Sequence, residues 1–401
     1  MPALCFYFQV HQPFRLRRYR RQSVGYDHQY FDEAKNRAIF SKVAEKCYLP
    51  ANRLLLDLIR HHEGRFRVAF SLSGTVIEQM LLYGPEVLAS FQELAATGSV
   101  EFLGETFYHS LSALHDPVEF FDQVELHRQA VQKYFNQSPR VFRNTELIYN
   151  DEIGRQVAAL GFQAVCAEGA DDILGWRTPH FITEHPHENL KILTKSYRLA
   201  DDIAFRFSNR GWPEWPLTAE KYAGWIHHLN GAGELVNLFM DYETFGEHQW
   251  EDTGIFQFMR RLPTEILKHP DNCFVTPSEA VERLPSHGPL SFSRLVSWAD
   301  LERDVTAWLG NSMQNKAFQA VHEMGPEIRS RNNPELLETW RRLLTSDHLY
   351  YMCTKWFSDG DVHTYFSPYK SPYEAFLTFM NVITDIKLHI IPVVASPPKI
   401  F

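Results

Sequence analysis

Leu235-Val-Asn-Leu-Phe-Met-Asp-Tyr-Glu-Thr-Phe-Gly-Glu-His248 reads as an apolar strand that stops abruptly in acids. Asp241, Glu243 and Glu247 crowd three carboxylates, with His248, into eight residues. Alternation along a strand sets Asp241 and Glu243 on one face. Like charges packed this closely oppose folding, but they suit acid–base chemistry, where each carboxylate raises its neighbour's proton affinity. A solvated loop can carry the same residues, so the rest of the chain has to decide between the two.

The pattern recurs. Short apolar runs at Leu4–Val10, Phe66–Leu72, Val100–Leu103, Val141–Arg143, Ala164–Ala167, Leu190–Leu193 and Leu235–Met240 predict strands, with Phe274–Val275 a weak eighth. Helical spacing fills the intervals at Asn52–His62, Pro85–Thr97, Pro117–Asn136 and Asn150–Leu160, several opened by proline or closed by glycine. Strands alternating with helices imply a parallel sheet or a (β/α) barrel. Polar residues gather just beyond the strand ends: His11-Gln-Pro13, Ser73-Gly-Thr-Val-Ile-Glu78, Gly104-Glu105 with His109, Asn144-Thr-Glu146 and the acidic cluster itself. Barrel enzymes build their active sites at this end, from several strands. Beyond about residue 290 the pattern turns helical, over Phe292–Asn315, Lys316–Glu323, Pro334–Thr345 and Pro372–Ile390, and the prolines of 392–401 suggest an extended tail. The expected organisation is a barrel over 1–290 and a helical domain over 291–401 that contributes to the cleft.

With 401 residues the chain is long enough for one large domain and an addition. A net charge of −9 argues against a nucleic-acid partner, whose binding surface would be basic. Cysteines at 5, 47, 166, 273 and 353 form no Cys-x-x-Cys pair, so neither a disulfide framework nor a thiolate zinc site is indicated. No stretch approaches 18 apolar residues and the first apolar run is too short for a secretory signal, which predicts a protein of a reducing compartment, the cytoplasm. Aromatic residues reach 14%, and Trp212, Trp215, Tyr242, Phe245, Trp250, Trp298 and Trp308 sit beside polar clusters. Core packing accounts for most rings, but rings next to carboxylates also suit sugars, which offer C–H faces and hydroxyls.

Two carboxylates from different strands facing each other across a cleft are the minimal machinery of glycoside hydrolysis: one protonates the leaving oxygen, the other attacks or activates water. Glu146 and Asp241 are the natural pair, although a glutamate at a helix start also stabilises the dipole. His11 could be a metal ligand, a donor to a sugar hydroxyl or a satisfied core residue. With His109, His115, Asp116 and His248 it leaves a hydrolytic metal site open. The basic run Arg15–Arg21 is a solvated loop or an anion clamp.

Taken in order, His11-Gln-Pro13, Glu146, Met240–His248 and Ser297–Asn311 resemble the motifs of glycoside hydrolase family 57, and His348–Met352 with Asp359–Phe366 is similar to its α-amylase-like branch. The resemblance runs across nearly the whole chain. It implies an α/β fold, an incomplete (β/α)7 TIM-like barrel with a C-terminal helical region. It also implies action on α-1,4-linked glucans of the starch, glycogen or maltodextrin type with retained configuration, and no metal or other cofactor. Glu146 would then be the nucleophile and Asp241 the general acid/base. His11, Glu78 and Glu243 would bind the sugar, as would Asp304, with Asp300 the alternative register and Trp298 and Trp308 as nearby rings. Two departures bear on the glucan cut: Gly74-Thr75 where Gly-Gln is usual, and Phe142 where many members have tryptophan. The alternatives are a 4-α-glucanotransferase or branching-type transglycosylase, a metal-dependent deacetylase or mannosidase-like barrel, and an inactive glycan-binding homologue.

Overall fold

The structure, a computed structural model, describes residues 2–355 and 367–390. The Asp359–Phe366 motif and the proline-containing tail lie outside the described residues. The eight apolar runs are all strands: β1 Ala3–Val10, β2 Val68–Leu72, β3 Val100–Phe102, β4 Val141–Arg143, β5 Ala164–Glu168, β7 Lys191–Lys195, β8 Leu235–Asp241 and β9 Cys273–Phe274. A two-residue strand, β6 Thr183–Glu184, pairs antiparallel with β7 and is too short to announce itself in sequence.

Seven parallel strands run in the order β3-β2-β1-β8-β7-β5-β4, with β9 added beside the start of β1. Between the outer strands β3 and β4 the seam is joined at Gly104, whose N–H donates to Val141 O at 2.9 Å and whose carbonyl accepts from Arg143 N at 2.8 Å. This is the α/β half-barrel expected from the sequence, with helices following it along the chain. Alternation on β1 explains why its run is unbroken. Leu4, Phe6, Phe8 and Val10 pack under the helices, while Cys5 and Tyr7 pack with Ala69, Leu103, Val141, Cys166, Leu193 and Phe239 inside the curve of the sheet. A parallel strand buried on both faces has no polar alternation to show. Tyr242 and Phe245 belong to the outer apolar layer, so these two rings are core rather than sugar platforms.

The chain divides into two compact units, Met1–Gln12 with Arg37–Val305, and Pro13–Asn36 with Thr306–Phe401. The second contains helices Ser312–His322, Gly325–Ser330, Pro334–Leu343 and Pro372–Ile390. Within it the Arg342 guanidinium lies 4.0 Å from the centre of the Phe14 ring, and Asn381 Nδ2 donates to Tyr19 O at 3.1 Å. The basic run is partly paired there, Arg17 with Asp27 and Arg18 with Glu374, while Arg15 is buried. The long helix expected over Phe292–Asn315 is not formed as one: 292–305 is irregular, Thr306–Leu309 makes a short helical turn, and Ser312 opens the helix Ser312–His322. Asp300 and Arg303 sit at φ of 57° and 49°, a left-handed backbone that interrupts any helix. Among the described residues no helix is long and apolar enough to cross a membrane.

Candidate active site

Glu146 follows β4 in a tight turn, Thr145–Leu147, at φ 58° and ψ 23°. A left-handed glutamate costs on the order of 1–2 kcal/mol, so its surroundings must hold it. Its carbonyl accepts Trp298 N–H at 3.2 Å, and the Trp298 indole Nε1–H donates to Oε2 at 2.7 Å. Its other oxygen, Oε1, lies 3.2 Å from His109 Nε2. The opposite nitrogen of His109 lies 3.2 Å from Glu105 Oε2. A buried imidazole between two carboxylates is held cationic. Burial opposes its charge, but the hydrogen bonds to Glu105 and Glu146 prevail and raise its pKa to about 9. Burial likewise opposes charge on Glu105, yet the hydrogen bond from His109 and the charges of His109 and Arg143 bring it down to about 2.

Asp241 ends β8 and is paired in register with Gln9 of β1. Burial and the nearby charge of Glu146 raise its pKa to about 7, against the opposing pull of Arg143, His109 and Lys195. Glu243, two residues on, is buried and raised to about 8 by burial and by repulsion from Asp241, despite the hydrogen bond that Tyr48 donates to it. Tyr48 is placed by a π-helical turn, Ala44–Tyr48, between two α-helices; such wide turns often mark functional sites. Gln12 Nε2 donates to the Tyr48 hydroxyl at 3.3 Å, so the strand-end motif after β1 reaches Glu243 through tyrosine. Glu247 turns away to pair with Lys42 and Lys46, and His248 is pushed down to about 4 by burial.

His11 packs its ring on His109 with centroids 4.0 Å apart, and its Nδ1 lies 2.7 Å from Ser73 Oγ and 3.4 Å from Thr75 Oγ1. Glu78 is one helical turn beyond Thr75 on Gly74–Tyr83 and half-buried, on the face that carries Thr75. Trp298 packs tilted on Phe239, with ring centroids 4.8 Å apart, while holding Glu146, so it both orients a carboxylate and leaves its ring half-buried. Asp304 and Asp300 are half-buried in the irregular stretch, where the Asp304 carbonyl accepts from Ser297 Oγ. Trp308 belongs to the second unit and is buried there beside Tyr350 at 6.0 Å.

Sequence reasoning missed four contributors: His109 as the partner of Glu146, Arg143, Tyr48 and Lys195. Arg143 is fully buried, 3.8 Å from Glu105 and with its guanidinium 5.0 Å from the Phe239 ring. A cation inside a three-residue strand next to Glu146 was a signal available in Val141-Phe-Arg143. The Glu105–His109 spacing of four was another, whereas Tyr48 carries none. Lys195 lies 5.3 Å above the Trp298 ring and 3.6 Å from Glu168. With both ring nitrogens engaged by carboxylates, His109 is not offered to a metal. The arrangement thus presents two carboxyls, Asp241 and Glu243, that can carry a proton at neutral pH and a third, Glu146, fixed by two N–H donors.

Residues 5–292 match the family model described as Glycosyl hydrolase family 57. A relative named "Putative alpha-amylase" from Methanocaldococcus jannaschii is 43% identical over 399 residues, covering 96% of this chain and 84% of its own. Among solved structures, the 4-alpha-glucanotransferase of Thermococcus litoralis superposes with TM-score 0.70 at 15% identity, over 96% of this chain, which spans 60% of that longer protein. The alpha-amylase AmyC of Thermotoga maritima superposes with TM-score 0.61 at 13% identity, over 97% of this chain and 94% of its own. At such identities the superpositions speak for the fold.

Proposed function

The chain belongs to glycosyl hydrolase family 57, and from that premise we propose that it cleaves α-1,4-linked glucans with retention of configuration, in the manner of an α-amylase. The observation that carries the reading is the contrast between two neighbouring carboxyls. Asp241 has its pKa near 7 and can donate a proton, while Glu146 is held by His109 and Trp298 N–H groups. Pairs of acids whose surroundings push them apart in this way divide into proton donor and nucleophile.

In the first step Glu146 attacks the anomeric carbon as Asp241 passes its proton to the departing glycosidic oxygen. The glucosyl group is then esterified to Glu146 and Asp241 is a carboxylate. In the second step Asp241 takes a proton from water, the water oxygen bonds to the anomeric carbon, and Glu146 leaves as carboxylate. Two inversions give retention. Glu243, His11, Glu78 and Asp304 are proposed to hold sugar hydroxyls, with Trp298 as a nearby ring; Trp308, buried in the second unit, is not assigned a sugar contact. An unbridged set of five cysteines, four of them buried, supports a cytoplasmic site of action.

Replacing Glu146 with Gln is expected to abolish turnover of maltooligosaccharides while circular dichroism and the melting profile stay native. Undiminished turnover removes Glu146 as nucleophile. Proton NMR of the first-formed reducing ends from maltoheptaose should show the α-anomer, and the β-anomer would rule out retention. The same glycosyl-enzyme can pass to a sugar hydroxyl, which makes transglycosylation the second reading. Products longer than maltoheptaose in chromatograms of that digest would select it.

A further inference from the structure

Away from the carboxylate cluster, the second unit holds a charge arrangement that the glucan reading does not use. Asp385, on the helix Pro372–Ile390, has a fully buried carboxylate. It accepts hydrogen bonds from Gly25 N–H, the Tyr30 hydroxyl and His28 Nδ1, the last at 2.8 Å. One turn further along the same helix, His389 Nδ1 lies 2.8 Å from the Asp385 carbonyl. Both acceptors face donors, the carbonyl having no proton to give and the Asp385 carboxylate being surrounded by three donor groups. Each imidazole must therefore carry its proton on Nδ1.

With both rings neutral, that assignment leaves two bare Nε2 lone pairs facing each other, and the structure sets them 3.3 Å apart with the rings nearly perpendicular, at 88°. Two lone pairs at this distance repel unless a cation lies between them. The spacing is also that of two ligands on one tetrahedral ion. Metal–nitrogen bonds of about 2.0–2.1 Å put the nitrogens about 3.3–3.4 Å apart. Histidine ligands to zinc characteristically give their other ring N–H to a carboxylate or a backbone carbonyl, and here one ring has each. The side chains of His28 and His389 are 48% and 44% exposed, leaving room for water on the remaining positions.

We propose that His28 and His389 bind a divalent late transition metal ion of the zinc class through their Nε2 atoms, with Asp385 as the buried carboxylate that orients His28. Nitrogen donors of this kind favour Zn²⁺, Ni²⁺ or Cu²⁺ over Mg²⁺ or Ca²⁺. The ion would clasp the segment after β1 to the last described helix, joining residues 361 apart in sequence. Its role would be to stabilise the second unit, not to take part in glycoside cleavage.

Full-length protein stripped with a chelator and titrated with Zn²⁺ by calorimetry tests this. The wild type should bind one equivalent more than His28→Ala or His389→Ala; both side chains are half-exposed, so both variants should fold. Asp385→Asn should weaken that equivalent by about 10–100-fold, the usual effect of losing such a partner. Zn²⁺ should raise the melting temperature of the wild type and not that of His389→Ala. Equal zinc uptake by the wild type, His28→Ala and His389→Ala overturns the proposal. So do imidazole NMR signals of His28 and His389 that ignore Zn²⁺ but titrate together with acid, which would leave a shared proton as the only occupant.

Discussion

At the scale of single residues, the site depends on which acid holds a proton. Asp241 must be protonated to donate, and its pKa of about 7 means that it loses the proton as pH rises through neutrality. Accordingly kcat/KM for maltooligosaccharides should fall above about pH 7, and Asp241→Asn should lower it by about 10²–10⁴-fold while removing that alkaline limb. A limb that persists in the variant assigns it to another group. His109 makes a prediction of opposite kind. Its folded pKa of about 9 exceeds the ordinary 6.5, so the folded chain holds a proton that the unfolded chain releases. Its stabilisation is full below about pH 6.5 and is lost as pH rises through about 9. Glu105, depressed to about 2 from 4.5, stabilises above about pH 4.5 and loses that as pH falls. Urea midpoints should therefore decline from pH 6.5 to 9 more steeply in the wild type than in His109→Gln, where only the loss of the raised Asp241 and Glu243 protons remains. Because it leaves Glu105 buried beside Arg143 without its imidazolium, His109→Ala should cost about 3–5 kcal/mol by urea unfolding. The sequence showed Glu146 and Asp241 as strand-end acids, but not that a histidine four residues past Glu105 would bridge to Glu146.

At the scale of elements, the loop after β8 is locked to the π-helical turn that carries Tyr48. Gly246 has φ 113°, and a Cβ there would stand 1.9 Å from Lys46 O. No L-residue accommodates both, so Gly246→Ala must push the loop off the turn and take Tyr48 away from Glu243. We expect a loss of about 3 kcal/mol or more in stability and a raised KM. A variant with wild-type KM and melting temperature would separate the loop from the turn. The Phe292–Asn315 stretch was legible as a motif and illegible as a shape. Its apolar spacing suits a helix, yet Trp298 is required at Glu146 by two hydrogen bonds, and the left-handed Asp300 and Arg303 turn the chain to bring it there. Local propensity yields to tertiary contacts in such a segment.

At the scale of the whole molecule, the second unit draws on both ends of the chain, Pro13–Asn36 and Thr306–Phe401. Truncation after Val305 would strip Phe14 of Arg342, Tyr19 of Asn381, and Gly25, His28 and Tyr30 of Asp385. The truncated chain should express as aggregate, read as soluble yield beside the full chain; a soluble, monodisperse product would show that residues 13–36 need no partner. A boundary near 290 was all that composition could suggest, because a segment inserted after β1 carries no sign of the helices it joins. The alternation of buried strands and amphipathic helices, the polar residues at strand ends and the order of the motifs are written in the sequence, since each depends on residue type and near spacing alone. The partners of those residues are not. His109 between two carboxylates, Arg143 beneath aromatic rings and His28 facing His389 arise from residues tens to hundreds of positions apart. Their protonation is set by burial and by neighbours that only the folded chain supplies.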